Sequence, residues 1–360
     1  MKRLAVCMLN VSEARNTEIV ENIARAAVNY SATQELQQRA DEQTEATVLN
    51  IFNDFDYNRS VLTIAAPTCH LGNSLYRACK KAYELVDLSD HSGGHPRLGS
   101  VDLVPIHPLS DDVTLDECGE IARGLALRLA EDIPGTSFFL FGHADQPHCR
   151  GLVERRKEVK WYSGRHGYQQ NQLKYDIGAA PTSQYGLTGI GAIPYMMNCN
   201  VTMDTDDLQS GREVAVAIRG SSPGGLPGVQ AMAFRHQGKV EIACNVQSYL
   251  FDDRGQRSSG NMADSAGAMD TNSPVIESHD KQTGRTKESI FDELHKFGRH
   301  AYIPGEIIES RIRELAASKG ISIEGRALLG FEPKKALELA TQALSNGETM
   351  FWKGRHNRNM

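Results

Sequence analysis

The chain of 360 residues contains no apolar run of transmembrane length. Its opening, Met1-Lys2-Arg3 followed by Leu4 to Leu9, has an apolar stretch of only six residues, shorter than the core of a secretory signal. Cysteine is sparse and unpatterned. The seven (7, 69, 79, 118, 149, 199, 244) are odd in number and none falls in a C-x-x-C pair, which argues against a disulfide framework, a cysteine zinc site and a thioredoxin-like redox motif. Positive charge is not in excess: 39 Lys and Arg against 45 Asp and Glu give a net charge of −6, without a general pull toward nucleic acid or an anionic membrane. A phosphate loop is missing too, because Gly220-Ser221-Ser222-Pro223-Gly224-Gly225-Leu226-Pro227-Gly228 has no Lys and leads into a strand pattern. These absences lead us to expect a cytoplasmic protein with no nucleic-acid or membrane partner. An organellar protein stripped of its presequence would read the same.

What is present is ordinary globular material, 40% hydrophobic and 23% charged, enough for two domains or subdomains. Leu4 to Leu9 reads as a buried strand ending at Asn10, and Ser12 as a helix cap. Ile19, Val20, Ile23, Ala26 and Ala27 recur at helical spacing, Ala46 to Phe52 and Val61 to Ala66 read as strands, and Leu75 to Val86 is a second amphipathic helix. Val101 to Ile106 is the strand beyond it. The order is β-α-β-β-α-β, the split pattern of ferredoxin-like sheets. Thr114-Leu115-Asp116-Glu117 is a capping box opening a third helix, and Ser137 to Phe141 a further strand.

From Gly142 to about Gly191 the periodicity fades, and we expect a polar surface crossing between two halves. The pattern then returns: strand Tyr195 to Met203, a helix after Thr205, strands Val229 to Arg235 and Val240 to Val246, a helix around Ile307 to Leu315, and strand Ile321 to Leu329. The fold class expected is therefore α/β (α+β), with two βαββαβ subdomains of mixed sheet and helices, spanning 1–194 and 195–350. An insertion at 252–287, rich in Ser, Gly, Asp and Asn and without Phe, Tyr or Trp, is expected to be disordered. The basic tail 351–360 is expected to be so as well.

Between the second helix and the next strand lies Asp90-His91-Ser92-Gly93-Gly94-His95-Pro96-Arg97-Leu98-Gly99. Two glycines and a proline make it a shaped loop, and it gathers two imidazoles and a guanidinium. His95 titrates near neutrality, and Arg97 suits a carboxylate or phosphate. A histidine beside proline is as often a mere hydrogen-bonding piece of a turn; the close company of Asp90, His91 and Arg97 favours chemistry. The His91/His95 spacing invites a zinc site, but Gly-Gly and Pro break the helix it needs and no third ligand follows. Asn58 and Arg59, after the acidic loop of Asp54 and Asp56, could bind a carboxylate or simply form a surface turn.

Cys7-Met8-Leu9-Asn10-Val11-Ser12-Glu13, Tyr57-Asn58-Arg59-Ser60-Val61, His91-Ser92-Gly93-Gly94-His95-Pro96-Arg97-Leu98-Gly99, Val113-Thr114-Leu115-Asp116-Glu117-Cys118 and Tyr185-Gly186 occur in an order that resembles the formiminotransferase family over most of the chain. Gly325-Arg326-Ala327-Leu328-Leu329-Gly330-Phe331-Glu332-Pro333 looks like that family's last strand and turn. The resemblance implies two α/β subdomains with a folate crevice, a homodimer, and transfer of a formimino group from N-formimino-glutamate to tetrahydrofolate as co-substrate, without a metal. It puts the catalytic histidine on His95, which a loop acid such as Asp54 could orient or charge-stabilise. Substrate or folate contacts fall on Asn10, Asn58, Arg59, Arg97, Asp176, Gly178, Tyr185 and Gly186. The cyclodeaminase domain fused to the transferase in animal enzymes is expected to have no counterpart here. The chain departs from the family at Ile193-Pro194, where a basic pair is usual, at His143, where an acid is usual, and at Arg326, where a small residue is usual. Two functions stay open: a folate-dependent one-carbon transferase, and a folate-binding or interaction protein on the same scaffold. A zinc hydrolase is a distant third.

Overall fold

A computed structural model of the chain describes residues 3–28, 45–159, 173–250 and 294–354. The insertion at 252–287 and residues 355–360 of the tail lie outside them. Packing divides the chain into two compact units, Met1–Ile193 with Lys335–Asn359, and Pro194–Lys334.

In the first unit, β1 (Leu4–Val11), α1 (Thr17–Val28), β2 (Thr47–Asp54), β3 (Arg59–Pro67), α2 (Thr68–Leu85) and β4 (Val101–Pro108) follow the βαββαβ order. The first four strands of the sheet are arranged β2-β3-β1-β4. β1 pairs antiparallel with β3 and β4, Cys7 lying opposite Ile64 and Ile106. Alternate strand residues (Ala5, Cys7, Leu9 on β1; Leu62, Ile64, Ala66 on β3) meet Leu71, Leu75, Ala78 and Cys79 of α2 and Ile23 and Ala27 of α1 in one buried core. α3 (Leu115–Asp132) starts at Thr114, whose side chain accepts the Glu117 N–H at 3.2 Å, half of the capping box read from the sequence. Ser12 is not a helix cap: its hydroxyl donates to Gly99 O (2.7 Å), and α1 opens after Asn16, whose Oδ1 accepts from Ile19 N (3.3 Å).

The stretch read as a surface crossing folds otherwise. After β5 (Ser137–Gly142) come α4 (Leu152–Glu158), β6 (Ile177–Gly178) and β7 (Thr188–Ala192), and β7 is an interior strand, parallel to both β4 and β5. Its glycines disguised it. A Cβ on Gly189 would lie 2.5 Å from Phe139 Cζ, and one on Gly191 would lie 2.4 Å from Phe141 O, so the aromatics of β5 fill the space that side chains on β7 would need.

In the second unit, β8 (Met196–Met203), α5 (Leu208–Ile218), β9 (Val229–His236), β10 (Lys239–Gln247), α6 (Gly305–Ala317) and β14 (Ile323–Leu328) repeat the βαββαβ order in an antiparallel sheet β14-β8-β10-β9. β11 (Tyr249–Leu250), β12 (His295–Phe297) and β13 (His300–Tyr302) form a small separate sheet. The Gly220–Gly228 segment is the α5–β9 connection, as its prolines suggest.

The chain from Lys335 onward, which includes most of α7 (Pro333–Ser345), packs with the first unit. There Val48 N donates to Thr349 O (3.0 Å) and Thr47 Oγ1 to Glu348 O (2.7 Å). Phe351–Gly354, within the stretch read as a disordered tail, is a 3-10 turn, because Trp352 is buried in the core cluster.

Candidate active site

The loop from Asp90 to Gly99 is held by contacts that use nearly every polar group in its sequence motif. The β2–β3 turn supports it: Asp54 Oδ1 accepts from Tyr57 N (2.8 Å), closing the turn, and Asp56 O accepts from Gly94 N (3.1 Å). The Tyr57 ring lies 5.2 Å from the His95 imidazole at a tilt of 58°. Asn58 has a left-handed φ of 47°, a conformation that asparagine tolerates better than most residues. Its Oδ1 accepts from Ala14 N (2.9 Å), its Nδ2 donates to Ser92 O (3.2 Å), and its carbonyl accepts from His91 Nε2 (3.0 Å). Asn58 thereby joins the β1–α1 connection to the loop.

Arg97 is turned inward. Nε donates to His95 O (3.1 Å), Nη2 to Tyr57 O (3.1 Å) and to His95 O, and Nη1 to His91 Nδ1. The His91 ring is held between the Asn58 carbonyl and the Arg97 guanidinium, whose Nη1 lies against both ring nitrogens. His91 and Arg97 thus build the loop that presents His95.

Nδ1 of His95 lies 2.7 Å from Pro96 O. A carbonyl only accepts, so Nδ1 carries the proton and the basic lone pair is on Nε2. Burial, then the positive charge of Arg59, push the imidazole pKa down to about 3, against smaller upward influences from Pro96 O and Asp102. In the chain by itself, His95 is a neutral base at physiological pH.

Two buried residues beside it escape a reading by motif. Asp102, 2% exposed on β4, accepts from Arg59 Nη1 at 2.5 Å and from Leu98 N at 2.8 Å. Burial opposes its ionisation, but Arg59, the Leu98 N–H and Arg156 prevail and hold its carboxyl below the usual range. Arg59 in turn gives Nε and Nη2 to Asn10 Oδ1 (3.1 and 2.8 Å). The sequence signal for Asp102 was an acid inside an apolar strand, Val101-Asp102-Leu103-Val104. Arg156 of α4 is 7% exposed, and its charge bears on both His95 and Asp102.

Tyr185 and Gly186 reach the loop: Tyr185 O accepts from Ser100 N (2.9 Å), Gly186 bridges Gly99, and Leu187 N donates to Leu98 O (2.8 Å). Asp176 and Gly178 do not share that place. They belong to the edge strand β6 and the residue before it, where Asp176 pairs with Arg155 (2.5 Å) and accepts from Leu140 N (2.7 Å), beside a cavity of about 460 Å³ lined by Arg150, Glu158 and Tyr175. His143 pairs with Asp116 (2.8 Å) and Arg326 with Glu309 (3.2 Å). Among the described residues no group of three or more His, Cys, Asp or Glu is placed to hold a metal ion. No helix among them is long and apolar enough to cross a membrane.

A βαββαβ unit carrying a buttressed histidine loop, matched over residues 4–193 by the formiminotransferase domain, N-terminal subdomain, defines a transferase: the chain belongs to the formiminotransferase family. It is 28% identical over 250 residues to a glutamate formimidoyltransferase of Thermoplasma acidophilum, covering 68% of this chain and 77% of that one. It is 30% identical over 260 residues to a formiminotransferase cyclodeaminase-like protein of Arabidopsis thaliana, covering 68% and 82%. Against the formimidoyltransferase-cyclodeaminase of Sus scrofa it is 28% identical over 241 residues, spanning 65% of this chain and 41% of that protein.

Proposed function

We propose that the chain transfers a formimino group, or a closely related one-carbon group, from N-formimino-glutamate to tetrahydrofolate, with His95 carrying the proton. The observation that carries this reading is the tautomer of His95. Fixed at Nδ1 by Pro96 O, it offers the Nε2 lone pair from a loop held on both sides. The N5 amine of the folate attacks the formimino carbon, forming the new C–N bond while Nε2 takes the N5 proton. The imidazolium returns that proton to the glutamate nitrogen as the old C–N bond breaks. Both halves need one group whose pKa is near the working pH. Burial and the neighbouring cation hold His95 well below that, so the carboxylates of an arriving donor have a second role: a negative charge beside the imidazole raises its pKa toward neutrality.

Asp54 serves here as a positioning residue, closing the turn that lays Tyr57 on the imidazole. The guanidiniums of Arg59 and Arg97, engaged by acceptors of the protein, build the site. Seven free thiols, five of them buried, support a reducing, cytoplasmic setting.

One observation favours a second reading, folate binding without turnover. Ile193 is 5% exposed, so an apolar core residue occupies a position where the family resemblance calls for a cation. Calorimetric titration with tetrahydrofolate followed by an assay with N-formimino-glutamate separates the two. Binding with turnover is the expected result, binding alone selects the second reading, and neither overturns both.

A further inference from the structure

The carboxylate of Asp102 does two things at once. Oδ1 accepts the N–H of Leu98, the third residue after His95, and fixes where the loop leaves for β4; Oδ2 meets Arg59 Nη1 at 2.5 Å. Arg59, at the start of β3, is anchored on its other side by two bonds to Asn10 of β1. Three neighbouring strands, β3, β1 and β4, are thereby tied to the backbone that carries the imidazole. Asp102 and Arg59 are 2% and 9% exposed, so water screens neither charge well, and each is felt by its neighbours. The groups bearing on His95 include Arg59 from β3, Asp102 from β4, Arg156 from α4, the Tyr57 ring from the β2–β3 turn, and the Pro96 carbonyl of its own loop.

We infer that Asp102 is a positioning residue for His95: one carboxylate both fixes the backbone that carries the imidazole and offsets the Arg59 charge that bears on it. Asp102→Asn keeps the shape and an oxygen for Leu98 N–H but leaves Arg59 without its counter-charge, and His95 becomes a weaker base. The inference rests on His95 as the proton carrier proposed above.

The test compares Asp102→Asn with Arg59→Gln/Asp102→Asn. In Asp102→Asn, kcat falls about tenfold or more with KM within about threefold, the pattern of a lost transition-state contribution. The double variant regains several-fold of that loss, because the offending charge is gone too. A separate arm follows the His95 Cε1–H resonance by NMR, assigned by its disappearance in His95→Gln. Its titration midpoint is higher in the double variant than in Asp102→Asn. A double variant no faster than Asp102→Asn, with coincident midpoints, overturns the inference. Should Asp102→Asn fail to fold, Arg59→Gln alone decides: it must raise the midpoint, because Asp102 then faces the imidazole without a counter-charge, and an unmoved midpoint overturns the inference. If the wild-type chain transfers no formimino group, the functional reading fails while the titration still judges Asp102.

Discussion

Gly93 and Gly94 stand side by side in the loop and answer to different constraints. A Cβ on Gly93 would lie 2.2 Å from Tyr57 O and 2.7 Å from Arg97 Nη2, so the loop and the β2–β3 turn meet there backbone to backbone. A Cβ on Gly94 would find its nearest neighbours at 3.8 and 3.9 Å, ordinary contact. Gly93→Ala should therefore destabilise the chain by about 2 kcal/mol or more and loosen the Tyr57–His95 contact, while Gly94→Ala stays within about 0.5 kcal/mol. Denaturant melts of the two variants check this, and equal costs would contradict the packing described for Gly93. The loop itself is legible in the sequence from its Gly, Pro and His content. The role of Arg97 is not legible there, because a guanidinium that binds a substrate carboxylate and one that binds two carbonyls have the same letter in the sequence. Asp102 was hidden for the opposite reason: one acid in an apolar strand carries no motif, and only the fold brings it to Arg59 and Leu98.

At the scale of elements, the strands and helices with strong periodicity were legible, including the βαββαβ order of both units. What failed to show was β7, since Thr188-Gly189-Ile190-Gly191-Ala192 has the composition of a loop. The space that side chains on Gly189 and Gly191 would need is filled by Phe139 and Phe141 of β5 and, at Gly189, by Leu103 of β4 as well. Replacing Gly191 with Ala should cost more than replacing Gly189. The added methyl at 191 meets a carbonyl oxygen that cannot rotate away, whereas at 189 it meets side-chain atoms of Phe139 and Leu103. About 1–3 kcal/mol is expected for Gly189→Ala, and a larger loss for Gly191→Ala, by thermal or urea denaturation; a reversed order would contradict the packing described for β7. The two units also differ in one informative connection. In the first, the chain between α2 and β4 runs from Val86 to Ser100 and contains the histidine loop, while in the second the matching link between α6 and β14 runs only from Ser318 to Ser322. The same topology is thus used once for a site and once without this loop.

For the molecule as a whole, the charges around the loop couple stability to pH. Asp102 has a folded pKa below its unfolded value, so its contribution is present above the unfolded carboxylate range and is lost as pH falls through the folded value. His95, at about 3 when folded against 6.5 as the reference, takes up its proton more readily unfolded. Stability therefore falls as pH drops below about 6.5 and goes on falling toward 3. Between pH 7 and 5, where Asp102 is not yet titrating, the wild-type chain should lose more thermal stability than His95→Gln. The expected difference is on the order of 1 kcal/mol, or a few degrees in calorimetry. Parallel losses would show that His95 is not held neutral by the fold.

The proton-carrying role of His95 is tested most directly by steady-state turnover of His95→Gln with N-formimino-glutamate and tetrahydrofolate, alongside calorimetric folate affinity on the same preparation. Turnover is expected to be lower by about two orders of magnitude or more, the usual scale for losing a general acid–base, with affinity within about threefold of wild type. Turnover within about threefold of wild type would contradict it.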